Sequence, residues 1–429
     1  MIFGERLALR GFYENELKQN ILWFWLPRCH DREYGGFLNC FTNRGDRLVS
    51  YDKYAWSQGR FVWVFARLAA TPAPLFSKSE RDGFLTLAAQ GSNFLMRNCL
   101  LGKDDWRVSF LMDRTGGKKP VSPGAPLDMS IYADCFVVAG LAMYAFAAKD
   151  EGSYAFAKRL YESILNRVQR RAYHTLPYPL SSRFRAHGIP MILSNVTREL
   201  LRAASVLDGG YCCALLRNME QFSVDILEHF VDAHHVLHEI LTADNAFFPQ
   251  ILGQHTNPGH TIEDAWFLLD AAELCHHPEW EPAIGAIILR ALENGWDDRF
   301  GGLLHFTGIC GGKPEGSAEG VSEEPMTQQL SGWDDKLWWV HSEALYTTLR
   351  FFFLSDDPVF LNWHNRIFDY AFRTFPNPDP EVREWIQIRR RDGSPQEKTV
   401  ALPVKDPYHI ARNLILLLEL LYAQTAPQA

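Results

Sequence analysis

Two short histidine segments stand far apart in a chain of 429 residues and share one grammar. Asn257-Pro258-Gly259-His260-Thr261-Ile262-Glu263-Asp264-Ala265-Trp266 opens one periodic apolar stretch, and Lys405-Asp406-Pro407-Tyr408-His409-Ile410-Ala411-Arg412 opens another near the C-terminus. In each, a proline turn sets a histidine at or near a helix start, with an aromatic or acidic neighbour one turn away. Proline suits that place because the first helical N–H groups have no intrahelical partner. Imidazole is the side chain whose pKa best suits proton transfer at neutral pH. Two imidazoles converging on one pocket can take a proton from one face of a carbon and return it to the other, which is the chemistry of an epimerase. The helix N-terminus adds a partial positive field that disfavours imidazolium and stabilises nearby anion density.

The bulk composition narrows the classes of partner. The net charge is −8 and the pI about 6.0, so there is no basic footprint for nucleic acid. The densest basic run, Arg389-Arg390-Arg391, reads as a solvated loop. The eight cysteines include no CxxC pair and no metal-ligand spacing. The N-terminus lacks the pattern of a signal peptide, and no run of about 18 apolar residues is evident for a membrane span. These features predict a reduced, cytoplasmic enzyme without a membrane partner. Thirteen Trp and 29 Phe either fill a core or line a carbohydrate pocket.

Stepping outward from the histidines, apolar residues recur at i, i+3 and i+4 over about twelve stretches: 5–26, 57–70, 79–98, 130–149, 151–170, 192–206, 210–229, 261–275, 281–295, 341–354, 358–374 and 408–424. A weak repeat punctuates them. Asp31-Arg32-Glu33-Tyr34-Gly35-Gly36-Phe37 and Asp297-Asp298-Arg299-Phe300-Gly301-Gly302-Leu303 share a pattern, and Trp106–Gly116 and Trp385–Gly393 echo it more loosely. Each unit reads as a helix end, a tight glycine turn and a short strand pair. The period is too loose for an open solenoid. The expected fold is therefore all-α: an (α/α)6 barrel, a closed toroid of helix pairs, with short β-hairpins in the loops at one end. It should form one domain over 1–429. Two long loops, 112–128 and 309–332, are expected to be lids or locally disordered.

Five segments in fixed order carry a resemblance. They are Asp31–Phe41, Lys53-Tyr54-Ala55-Trp56-Ser57-Gln58-Gly59-Arg60, Asn257–Trp266, Lys336-Leu337-Trp338-Trp339-Val340-His341-Ser342-Glu343-Ala344, and Asp406–Arg412. Together they resemble the N-acylglucosamine 2-epimerase superfamily, which includes cellobiose 2-epimerases and mannose-type aldose–ketose isomerases. The resemblance implies the (α/α)6 barrel and chemistry without a metal or cofactor. It implies His260 and His409 as the acid/base pair and Arg60 at the substrate carbonyl or enediolate oxygens. Glu263 would hold His260 and the sugar hydroxyls, and Trp338 and Trp339 would form a stacking platform. Tyr132, Asn195 and Trp266 complete the expected substrate contacts. A small-molecule sugar is the implied partner, with the chain a monomer or homodimer. One departure stands out: the isomerases and cellobiose epimerases carry a third histidine near position 195, where this chain has Asn195. That looks closer to the N-acylglucosamine branch, whereas Pro407-Tyr408-His409 looks closer to the other two.

Inverting C2 of an aldose requires ring opening, removal of the proton α to the aldehyde, a cis-enediolate, and reprotonation from the opposite face. A fixed cation such as Arg60 where the oxyanion develops contributes about 3 kcal/mol if it acts like an oxyanion-hole donor. If the second proton goes to C1, the same site becomes an aldose–ketose isomerase, and sequence spacing leaves both outcomes open. Each residue also has a structural alternative. His260 could cap its helix, His409 could be a core histidine, and Arg60 and Glu263 could sit in plain ion pairs. One of Trp338 and Trp339, together with Tyr132, Asp134, His341 and Glu343, could belong to the ring interior. Glycoside hydrolysis would instead need two carboxylates, with Asp334, Asp335 and Glu343 as candidates. A zinc reading of His260 with Glu263, or His341 with Glu343, lacks a third dedicated ligand. A further alternative is a non-catalytic protein binding through the concave face of the ring. No glycine-rich phosphate loop marks a nucleotide site.

Overall fold

Among the described residues, Met1 and 3–425 of the computed structural model, the helical periodicity resolves into twelve long helices in two alternating layers. The inner layer holds α2 (Ala55–Ala70), α4 (Ile131–Ala148), α6 (Gly188–Leu207), α8 (Pro258–Cys275), α10 (Trp338–Ser355) and α12 (Tyr408–Thr425). The outer layer holds α1 (Phe3–Asn15, prolonged through a π-helical Glu16–Leu22), α3 (Lys78–Asn98), α5 (Glu151–Gln169), α7 (Cys212–Asp225), α9 (Glu281–Gly295) and α11 (Pro358–Thr374). Each inner helix packs on the next, α12 returns to α2, and each outer helix backs onto an inner neighbour. The result is the (α/α)6 barrel.

The two layers differ in pattern because they differ in surroundings. The outer helix α5 buries Tyr154, Ala157, Leu160, Tyr161 and Ile164, one stripe at helical spacing. The inner helix α4 is buried continuously from Ile131 to Met143. Contrary to expectation, α4 is long and apolar enough by composition to cross a membrane, but 78% of it is buried inside the barrel. Helices α2 and α4 touch through their backbones: a Cβ on Gly59 would lie 2.1 Å from the Phe136 carbonyl oxygen, and one on Gly140 would lie 2.3 Å from that of Gly59. The inner helices α4, α8 and α10 stop at left-handed Lys149, His276 and Asp356. Helix α6 starts at Gly188, earlier than the expected 192, because Pro190 falls in its first turn, where proline is tolerated.

Only one of the strand pairs is a local hairpin, Leu111–Met112 with Lys118–Lys119. The others join segments far apart in the chain: Lys53–Tyr54 with Leu111–Met112, Phe184–Ala186 with Ile240–Thr242, His255–Thr256 with Thr307–Gly308, and Lys336–Leu337 with Ile388–Arg389. Each pairs the entry to an inner helix with the chain returning after the next outer helix. They all lie at the end of the barrel where the inner helices begin.

The sequence repeat has a physical meaning there. Lys53, on the strand before α2, pairs with Asp31 at 3.0 Å and donates to the Gly35 carbonyl, and Arg114 also binds Asp31. Lys336, on the strand before α10, pairs with Asp297 at 3.1 Å and donates to the Gly301 and Gly302 carbonyls, and Arg391 also binds Asp297. The looser echoes of the repeat supply those two arginines. Gln58 accepts a hydrogen bond from the Phe37 N–H, and His341 Nε2 accepts the equivalent one from Leu303. His341 is therefore structural. The Arg389–Arg391 run is solvated only at Arg390: Arg389 is buried on the Phe375 and Ile386 carbonyls, and Arg391 completes the clasp. The 309–332 loop is folded, with Val321, Met326 and Leu330 in a small apolar cluster outside the barrel core.

Candidate active site

The inner helices deliver side chains from their first three turns into one cavity, enclosing about 1110 Å³ of empty space with its mouth included. Helical spacing explains the set: Trp56 and Arg60 from α2, Tyr132 and Phe136 from α4, Met191 and Asn195 from α6, His260, Glu263 and Phe267 from α8, and His409 and Arg412 from α12. Trp338 and Trp339 open α10 on the same wall. The N-terminal helix ends converge here, so their partial positive charges face the cavity.

His260 enters from a constrained turn. Asn257 caps α8 by accepting from the His260 backbone N–H at 3.2 Å, and Pro258 takes the first helical position. Gly259 is required by packing, because a Cβ there would lie 2.5 Å from the Trp339 ring. The His260 Nδ1 lies 3.1 Å from a Glu239 carboxylate oxygen, so Nδ1–H donates to Glu239 and Nε2 is left toward the cavity. Behind Glu239 stands His187, the residue before α6, with Nε2 2.9 Å from Asp264 and Nδ1 3.6 Å from Glu239. Burial works against the His187 charge, yet Asp264 and Glu239 raise its pKa to about 9. Burial likewise pushes the Glu239 carboxyl up, but the rings of His260 and His187 hold it well below the usual carboxylate range.

His409 has a parallel anchor in a drier place. Its Nδ1 lies 2.7 Å from Glu343 Oε1 and 3.4 Å from an Arg412 nitrogen. The shorter contact decides the tautomer: Nδ1–H donates to Glu343, and Nε2 again faces the cavity. Glu343 is fully buried and also accepts from Trp266 Nε1 at 3.0 Å and Asn413 at 2.7 Å. Arg412 pairs with both Glu343 and Glu263. Burial is the chief cause that lowers the His409 pKa to about 3; Glu263 opposes it, and the Arg60 and Arg412 cations reinforce it. The Trp339 ring lies 5.4 Å from each imidazole, so the two rings are no further apart than twice that separation.

Arg60 lines the same cavity, ion-paired with Asp406 and packed among the rings of Trp56, Phe136 and Tyr408, with its guanidinium carbon 4.1 Å from the Phe136 centroid. The rings and the Asp406 carboxylate together fix the guanidinium at the cavity wall. Asn195 lines the cavity from α6. Tyr132 lines it too, as do both tryptophans, 338 and 339.

Two expectations change. Glu263 lines the cavity but does not hold His260: it pairs with Arg412 and lies 3.8 Å from His409, while Glu239 takes the His260 side. Trp266 does not reach the cavity. It is buried behind it, where the helical turn from Glu263 aims its indole N–H at Glu343. Asp134 is likewise buried, paired with Arg167. Glu263, Glu343 and His409 bring donor atoms within 4.8 Å of one another, a metal-like group, but the guanidinium of Arg412 already supplies its positive charge. Sequence reading missed Glu239, His187 and Arg412. Arg412 stood one turn after His409, a signal available in the spacing, whereas Glu239 sits in a bend just before the short strand Ile240–Thr242, without periodicity.

The fold and site define an (α/α)6 toroid with two carboxylate-anchored imidazoles at one cavity. The family model for N-acylglucosamine 2-epimerase (GlcNAc 2-epimerase) matches residues 35–413, and the chain belongs to that family of carbohydrate epimerases and isomerases. It is 29% identical to the human (Homo sapiens) N-acylglucosamine 2-epimerase over 98% of this chain and 92% of the relative. Among solved structures it is similar to the cellobiose 2-epimerase of Spirochaeta thermophila, with a TM-score of 0.76, 19% identity and 99% of each chain covered. It is also similar to a D-mannose isomerase, with a TM-score of 0.72, 16% identity, and 96% of this chain and 97% of that chain covered.

Proposed function

We propose that this enzyme inverts C2 of an N-acyl hexosamine, interconverting N-acylglucosamine and N-acylmannosamine. The observation that carries the reading is the pair of imidazoles, each held at Nδ1 by a carboxylate, each offering Nε2 to one cavity and each with its ring 5.4 Å from that of Trp339. In one direction, neutral His409 takes the C2 proton of the open-chain aldehyde, and the C–H electron pair moves into a C1–C2 double bond as the carbonyl oxygen becomes anionic. Arg60 and the converging helix ends stabilise that oxygen. Protonated His260 then gives its proton to the other face of C2, and the carbonyl reforms. The two histidines exchange protonation states in the turnover and reset with solvent.

Asn195 supports the N-acyl substrate, since both the cellobiose epimerases and the aldose–ketose isomerases of the superfamily carry a third histidine near that position. Glycoside hydrolysis is disfavoured because the cavity carboxylates Glu263 and Asp406 are tied to Arg412 and Arg60. The reading uses histidine acid/base chemistry with no metal, and a chelator should leave the rate unchanged; loss restored by added metal would contradict it. The eight free thiols support a cytoplasmic setting. Incubation with N-acetylmannosamine, mannose, glucose, cellobiose and lyxose, followed by NMR, tests the substrate. N-acetylglucosamine from N-acetylmannosamine is expected, and fructose formed from mannose instead would make the enzyme an isomerase.

A further inference from the structure

Beside His260 the main cavity opens into a smaller recess that the proton transfers do not use. The two share Tyr132, Tyr178, Gly188 and His260 on their walls, whereas His409 borders only the main cavity. Besides the polar Glu239 and Asn257, the recess is lined past the imidazole by Leu180, Ala186, Ile240, Phe306 and Met326. These residues come from outside the helix ring. They belong to the separate apolar cluster that the 309–332 segment builds against Ile240 and Phe306. That segment is fastened over the recess. Glu324 accepts from the Ser181 N–H at 3.0 Å and pairs with Arg183, and Gln329 donates to the Pro177 carbonyl at 2.6 Å.

A sugar hydroxyl placed among the five apolar side chains, away from Glu239 and Asn257, would lose its water without gaining a partner, which is unfavourable. A methyl group would gain contact on every side. Geometry says which methyl. A base that exchanges the C2 proton must touch C2, so the substituent on C2 lies beside the same imidazole. Of the two histidines, His260 alone stands at the recess.

We infer that the recess beside His260 seats the C2 acylamino group of the substrate, and that Met326 sets the length of acyl chain accepted. This rests on the reading of the site as a C2 epimerase. The Tyr132 hydroxyl lies against Gly188 at the junction of the two hollows, where it can donate to the acyl carbonyl. The other apolar wall of the main cavity, Val400 to Val404, is the competing seat.

The test compares kcat/KM for N-acetyl-, N-propionyl- and N-butanoylmannosamine in the wild type, Met326→Ala, Leu180→Ala and Leu402→Ala, with circular dichroism and melting to confirm folding. Shortening Met326 should raise the N-butanoyl to N-acetyl ratio by about tenfold, the scale of one or two methylenes in an apolar pocket. Leu180→Ala should move it the same way, and serves if Met326→Ala does not fold. Ratios that stay within about twofold of wild type in folded recess variants overturn the assignment, as does a ratio that moves only in Leu402→Ala. If the wild type converts free aldoses and no N-acyl sugar, the epimerase reading falls and the recess assignment with it. That outcome is distinct from unmoved ratios in an enzyme that does turn over N-acyl sugars.

Discussion

The two candidate bases are built alike and housed differently. His260 and His409 each fix Nδ1 on a carboxylate and keep Nε2 for the cavity. His260 is about a quarter exposed, and its carboxylate, Glu239, is shared with His187. His409 is buried, and its carboxylate, Glu343, is shared with Arg412, Trp266 and Asn413. One side is open to solvent and to an apolar recess. The other is a sealed network that holds its imidazole neutral. The difference suits a reaction in which both rings must change protonation while only one end of the substrate needs room. It also says where a change should cost activity and where it should cost the fold.

Removing either imidazole is the largest expected effect. His260→Asn and His409→Asn should each lower interconversion by about 10³-fold or more, since each removes a general acid/base that the other cannot replace across the substrate plane. If one variant kept near wild-type rate, the pairing would be broken and that ring reassigned. The carboxylates come next and should separate the two sides. Glu239→Gln should lower kcat on the order of 10²-fold because it loosens the orientation of His260, with a smaller fall in melting temperature than Glu343→Gln, because its contact to His187 is 3.6 Å and Asp264 stays on that ring at 2.9 Å. Glu343→Gln should lower both, since Arg412 then loses one of its two buried carboxylates, and breaking such a pair costs about 3–5 kcal/mol. Equal melting temperatures for the two variants would refute the contrast.

A smaller effect is expected at the ring between them. Gly259→Ala places a methyl 2.5 Å from Trp339, which must move and carry the spacing of both imidazoles with it. Activity should fall by about tenfold with the fold intact. Wild-type kinetics would mean that Trp339 does not set the geometry.

The smallest concerns the paired clasps. His341 is held neutral by burial, with its pKa lowered to about 3 from 6.5. The unfolded chain takes up this proton as pH falls below 6.5, while the folded chain does not, so stability is present above that pH and is lost as pH falls toward 3. Gln58 already fills the equivalent place in the other clasp. His341→Gln should therefore keep the fold and make the acid limb of the stability curve shallower by about 1.4 kcal/mol per pH unit. Urea titrations from pH 7 to 4 read this directly, and an unchanged slope would contradict it.

Much of this was legible in the residues. The twelve helices followed from periodicity, the two histidine turns from their prolines, and the closed ring from a loose repeat together with the family resemblance. What escaped depends on contacts between distant segments. Glu239 and His187 meet His260 only once the strands at 184–186 and 240–242 pair, and neither strand shows a periodic signal. Trp266 belongs to the histidine segment in sequence, but the helical turn carries its indole away from the cavity to Glu343. Arg389 looked solvated because charge runs usually are, yet buried carbonyls hold it. Helix α4 escaped notice as an apolar run because its Asp134 is neutralised by Arg167, a partner from the neighbouring outer helix.

The central claim is that two imidazoles address opposite faces of one carbon, and hydrogen exchange in deuterium oxide tests it most directly. With His409→Asn, the account predicts that solvent deuterium enters C2 of one epimer only, through His260. With His260→Asn it should enter only the other epimer, and neither variant should interconvert the two. Exchange of the same epimer by both variants, or epimerised product from the wild type without deuterium at C2, would contradict it.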